Sequence, residues 1–150
     1  GRPARIDGFM TEQLYAKELL RWAADVSHAG RLDSATAAAT ESNPMCGDRC
    51  HVEFALADGA IREARHDTRA CALTQASASI LAAHAVGETG QTILTLRQTI
   101  ADMLSSATTA PDGKWSVYGI FAGAAAHKSR HTCVLLPLDA AVKALAPSHT

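Results

Sequence analysis

The spacing of apolar positions divides the chain into segments of different period. Tyr15, Leu19, Trp22 and Val26 recur at helical spacing, with Thr11 where an N-cap belongs and Gly30 where a helix would stop. Ala35 to Thr40 is small and β-tolerant and reads as a short strand. Val52, Phe54 and Leu56 alternate, as a half-buried strand requires, and Asp58-Gly59 is a two-residue hairpin signal. Ala60 to Asp67 is the expected return strand. After Cys71 the period becomes helical. Leu73, Ala76, Ile80 and Ala83 share one face up to Gly87, and Ile93, Leu96, Ile100 and Met103 share another. Pro111-Asp112-Gly113 marks a turn, and Trp115 to Ala126 predicts a short helix carrying Tyr118 and Phe121. Pro137 suits the first turn of a last helix running to about Leu145. The pattern predicts an α+β domain: a small antiparallel sheet of about three strands packed against a cluster of helices.

Composition narrows the classes. The 150 residues are 47% apolar, enough for one core without disulfide staples. Fourteen Lys and Arg against fifteen Asp and Glu give a net charge of −1, so no basic footprint for nucleic acid or an anionic membrane exists. No apolar run approaches a membrane span. Residues 1–9 read as a tag or disordered leader before Met10, and residues 10–150 as the domain. Four cysteines without a recognisable secretion signal favour a reducing cytoplasm, where metal binding or catalysis outranks disulfide formation.

The cysteines carry the candidate chemistry. Cys46, Cys71 and Cys133 each stand beside an expected chain reversal or helix start, and Asp48 follows the first of them. Distant segments could thus build one soft-metal or sulfur site. A two-residue turn at Asp58-Gly59 pairs positions whose numbers sum to 117, and 46 plus 71 is 117. A ladder running that far would set Cys46 opposite Cys71, with Cβ atoms roughly 4.5–5.5 Å apart. Asp48, two residues on from Cys46, would point to the same side. Cys71 and Cys133 are expected just before helices, whose N-termini favour a thiolate. Cys50 lies ~13 Å from Cys46 in an extended chain and reads as structural. Arg130 is a candidate electrostatic neighbour and His131 a spare ligand; each reads equally as an ordinary loop residue. Ser77 and Ser79 read as local packing or capping. No Cys-x-x-Cys pair, phosphate loop or dinucleotide glycine pattern is present.

Three runs occur in order: Asn43-Pro44-Met45-Cys46-Gly47-Asp48, then Cys71-Ala72-Leu73-Thr74-Gln75-Ala76-Ser77-Ala78-Ser79, then Arg130-His131-Thr132-Cys133. Together they resemble the NifU/IscU/SufU family of iron–sulfur cluster assembly proteins, over about Leu14 to Leu145. The resemblance implies a scaffold or sulfur acceptor in place of a classical enzyme. It implies Cys46, Asp48, Cys71 and Cys133 as ligands of zinc or a [2Fe–2S] cluster. It implies a cysteine desulfurase, and apo-acceptor iron–sulfur proteins or a downstream scaffold, as partners. Thr132 stands where IscU-type members have histidine, and the chain between Cys71 and Cys133 is longer, as in the SufU-like branch. Thr68 and Ala70 depart from that branch, which has glycines there, and the lysine usual beside the last cysteine is missing.

The chemistry is coherent on its own terms. Three thiolates and one carboxylate on Zn²⁺ leave the oxygen as the weaker ligand. Cys46, between Asn43-Pro44 and Gly47, is the expected mobile ligand and the candidate persulfide acceptor. The alternative is a zinc-binding interaction module without sulfur transfer.

Overall fold

Both residues of the Asp58-Gly59 turn have positive φ, 54° and 80°, the left-handed pair that a type I′ hairpin turn requires. In the computed structural model, which describes residues 15–106 and 109–147, this turn joins the central and last strands of an antiparallel sheet. The strands are β1 (Ala37–Asn43), β2 (Asp48–Ala57) and β3 (Ala60–Arg69), in the order β1-β2-β3. The first strand is displaced from the expected Ala35–Thr40, because Asn43 closes a second hairpin. Pro44 to Gly47 form its four-residue loop, and Gly47 supplies the positive φ of 78° that ends it.

The helices follow. The first, α1, covers residues 15–24 of the described chain, then α2 (Ala72–His84), α3 (Gly90–Ser106), a 3₁₀ helix (Gly113–Ala126) and α4 (Lys128–Leu145). The expected cap at Thr11 and the leader 1–9 lie outside the described residues. Val26 falls beyond the end of α1 and is 75% exposed, so the apolar face of that helix stops at Leu19, Trp22 and Ala23.

Cys50, Val52 and Phe54 of β2 and Ala64 and His66 of β3 point into the core. There the middle of α2 is buried: Thr74 and every residue from Ala76 to Ala82. The expected single stripe is replaced by burial all round, and the small Ala and Ser side chains permit it because neighbouring elements can approach closely.

The 3₁₀ helix is long for its type. Its three-residue repeat stacks Trp115, Tyr118, Phe121 and Ala124 on one buried edge. Ring centroids lie 6.1 Å apart between Trp115 and Tyr118 and 5.5 Å between Tyr118 and Phe121. His84 continues the row between Trp115 and Trp22.

The last helix departs most from expectation. It begins at Lys128, so Cys133 is inside it and Pro137 lies mid-helix rather than in the first turn. A mid-helix proline has no N–H for the carbonyl four residues back and crowds it. That carbonyl belongs to Cys133, and the Thr74 hydroxyl donates to it at 2.9 Å. The Ser77 hydroxyl donates to the neighbouring Val134 carbonyl at 2.7 Å, and Tyr118 donates to the Ser77 carbonyl at 3.1 Å. Helix α2 thus satisfies the backbone that Pro137 disturbs, which is the role of Ser77 that sequence reading leaves as local packing.

Thr74→Val keeps the shape and removes the donor, leaving a buried carbonyl unpaired. A loss of about 1–3 kcal/mol is expected from urea unfolding, with Thr74→Ser close to wild type. Equal midpoints for the Val and Ser variants would refute this account of α4.

Candidate metal centre

Three expected ligands converge. The donor atoms of Asp48, Cys71 and Cys133 all lie within 4.8 Å of one another. Each is brought by a different element. Asp48 opens β2, Cys71 is the residue before α2, and Cys133 lies in the second turn of α4. Cys71 has extended backbone (φ −65°, ψ 169°) and its side chain makes no cap. The Cys71 Sγ lies 3.5 Å from Thr74 Oγ1. Thr74 has committed its one proton to the Cys133 carbonyl, so it can only accept from a protonated Cys71. Thr74 therefore touches both cysteine segments.

Cys46 is exposed on the adjoining hairpin loop and lies outside the group of three. The 117 register fails before reaching it, for a physical reason. A β-bulge between Ala55 and Leu56 shifts the ladder so that paired numbers sum to 118, and pairing ends at Arg49 and Arg69. Cys46 instead stays on the exposed loop, where its charge acts on Cys133. Asn43 orders that loop, its side-chain oxygen accepting from Met45 N at 3.0 Å and its carbonyl from Gly47 N at 2.8 Å. Met45 at the tip is 92% exposed.

Burial pushes the Cys133 thiol up to about 11, helped by its contact with Cys71 and by the negative charges of Cys71, Asp48 and Cys46. The expectation that a helix start would favour the Cys133 thiolate is overturned, because the residue is within the helix and beside other acids. Its Sγ leans on the Ser129 carbonyl at 3.7 Å.

The remaining candidates fall elsewhere. His131 Nε2 donates to the Ala125 carbonyl at 2.9 Å and holds the end of the 3₁₀ helix. Arg130 is exposed and lines a groove of about 260 Å³ with Leu19, Leu73 and Phe121. Cys50 is fully buried, accepts from Thr68 at 3.3 Å, and is pushed by burial up to about 11.

The donor set fits a soft or borderline cation. A tetrahedral ion with bonds of ~2.3 Å sets its ligands about 3.8 Å apart, inside the 4.8 Å the three donors span.

Fold and site together define an α+β domain with a thiol- and carboxylate-lined centre at its surface. The chain belongs to the NifU-like N-terminal domain family, whose pattern matches residues 14–134. It is 26% identical over 125 residues to the iron–sulfur cluster assembly scaffold protein IscU of Thermotoga maritima, covering 83% of this chain and 87% of that protein. The crystal structure of a nitrogen-fixing NifU-like protein (N-terminal) from Brucella abortus superposes with a TM-score of 0.82 at 30% identity, over 90% of this chain and 94% of the other. A putative iron–sulfur cluster assembly scaffold protein for the SUF system from Fervidobacterium islandicum shares the fold, with a TM-score of 0.79 at 20% identity, over 89% and 98%.

Exposure and thiol acidity set an order of reactivity. With metal removed by chelation, iodoacetamide should modify Cys46 and Cys71 first and Cys133 more slowly, with Cys50 reacting only on unfolding. Peptide mass spectrometry reads the order; early label on Cys50 in folded protein would contradict the assignment of that thiol to the core.

Proposed function

We propose that this chain is an iron–sulfur cluster assembly protein that accepts sulfur from a cysteine desulfurase at Cys46. In this reading Asp48, Cys71 and Cys133, joined by Cys46, hold zinc or a [2Fe–2S] cluster. The observation that carries the reading is the convergence of Asp48, Cys71 and Cys133 in a chain of the NifU-like N-terminal domain family. The Thermotoga relative, named an iron–sulfur cluster assembly scaffold, supports it. Helix α3 and the 3₁₀ helix occupy the long interval between Cys71 and Cys133, which favours the SufU-like branch. The work belongs in a reducing compartment such as the cytoplasm, where the thiols stay free.

The chain's own groups suggest how the chemistry runs. The exposed Cys46 thiolate attacks the outer sulfur of the donor's persulfide. The donor's sulfur–sulfur bond breaks, its thiolate leaves, and Cys46 carries the new persulfide with the proton on the outer sulfur. Cys71 and Cys133 are held by α2 and α4 and form the fixed wall. Bound zinc would supply the positive charge that keeps these thiols deprotonated. Where the cargo is a cluster, Asp48 is the hard ligand in a soft shell and exchanges fastest, which suits hand-over to an apo-acceptor.

Aerobically purified protein should contain close to one zinc per chain, by the single-site reading. Serine at Cys71 or Cys133 should lower it sharply, and Cys50→Ser should not. Full zinc retention by Cys71→Ser would end the proposal for this centre. After incubation with a desulfurase and cysteine, mass spectrometry should find the added sulfur on Cys46.

Asp48→Ala should keep or prolong cluster binding, since three thiolates remain, and should slow transfer to an apo-acceptor. Unchanged decay and transfer rates would make Asp48 a turn residue only.

A further inference from the structure

Arg49 and Arg69 are directly opposed across β2 and β3, at the last rung of the ladder. Both are exposed, and among the described residues neither has a carboxylate within 4.0 Å. Like charges directly opposite in a sheet are destabilising, and both side chains point to the face away from the core. Arg31 joins them around a hollow of about 230 Å³, with His51 and Asp67 completing the lining. The carboxylates near it are engaged: Asp67 faces Arg31 at 3.3 Å, and Glu53 takes His51 at 2.9 Å and Arg31 at 3.4 Å. The hollow's lining has three guanidinium groups against one carboxylate.

Position gives the patch its meaning. Arg49 follows the candidate ligand Asp48, and Arg69 stands two residues before Cys71. The arginine pair therefore marks the end of the sheet at which the chain enters and leaves the segments that carry Asp48 and Cys71. We propose that Arg49 and Arg69 form a docking surface for an acidic segment of the protein partner that exchanges sulfur or cluster at the centre. A guanidinium fork matches a carboxylate in two parallel hydrogen bonds. The nearby Asp67 and Glu53 disfavour a multiply charged phosphate more than singly charged side chains spread along a peptide. The inference rests on the proposed function, because the centre is what places the partner here.

The test uses the full chain and a fluorescein-labelled hexaglutamate peptide, read by fluorescence anisotropy at low salt. Saturable binding is expected, weakened at least about tenfold by Arg49→Thr with Arg69→Thr together, and little changed by Lys17→Gln, the loss of one positive charge outside the hollow's lining. Threonine suits a strand surface, and Arg69→Thr should unfold at no lower urea concentration than wild type, because a repulsion is removed.

Absent binding, or binding unaffected by the double substitution, would overturn the proposal. So would displacement of the peptide by inorganic phosphate at matched ionic strength, which would make the hollow a small-anion site. Zinc content of the same samples separates the two readings. Zinc retained beside arginine-independent peptide binding rejects the docking surface alone. Wild type that holds neither zinc nor, after anaerobic reconstitution, a cluster rejects the centre, and with it the exchange partner assigned to the surface, whatever the peptide affinity.

Discussion

A proline in the middle of a helix is the constraint on which the site depends. Pro137 cannot donate to the Cys133 carbonyl, and α4 is buried on that side against α2. A buried carbonyl without a partner is costly, so the fold must bring a donor to it. Thr74 and Ser77, one turn apart on α2, supply the hydroxyls for Cys133 and Val134. That crossing fixes Cys133 beside Cys71, because Thr74 is only three residues after Cys71 and touches its sulfur. The helix defect is therefore the joint that assembles two of the three thiols.

Around this joint the site divides into a rigid part and a reachable part. Cys71 and Cys133 are carried by helices locked into the core, and Asp48 by the first residue of the central strand. Cys46 sits on an exposed loop whose order comes from Asn43 rather than from packing. The proposed function uses both, the rigid part to hold a soft cation and the reachable part to exchange sulfur. The raised Cys133 thiol expresses the same arrangement, through its burial first and the neighbouring Cys71, Asp48 and Cys46 second.

The departures from the SufU-like pattern have local explanations. Neither Thr68 nor Ala70 has positive φ, so the backbone here does not require glycine. Thr68 uses its side chain instead. It donates to Cys50, receives His66 Nδ1 at 2.9 Å, and its carbonyl accepts from Gln75 at 2.6 Å. Those bonds tie the end of β3 to the start of α2, close to Cys71.

The sequence by itself determined the α+β class, the Asp58-Gly59 hairpin, the helical runs after Cys71 and the three segments that supply Asp48, Cys71 and Cys133. Each is local: turn chemistry, period and motif are written in adjacent residues. Three features depended on tertiary structure. The bulge at Ala55 and Leu56 moved the ladder by one, because strand register is decided by how both strands twist against the core. Pro137 entered α4 rather than starting it, because α2 hydroxyls replaced the donor that local propensity says is missing. The three-residue repeat of Trp115, Tyr118, Phe121 and Ala124 was legible as spacing, yet it became a 3₁₀ helix only where a buried edge against α2 and α3 rewarded the tighter turn. In each case side chains far apart in the sequence supplied the partner, and no local pattern can show a partner that arrives from elsewhere in the fold.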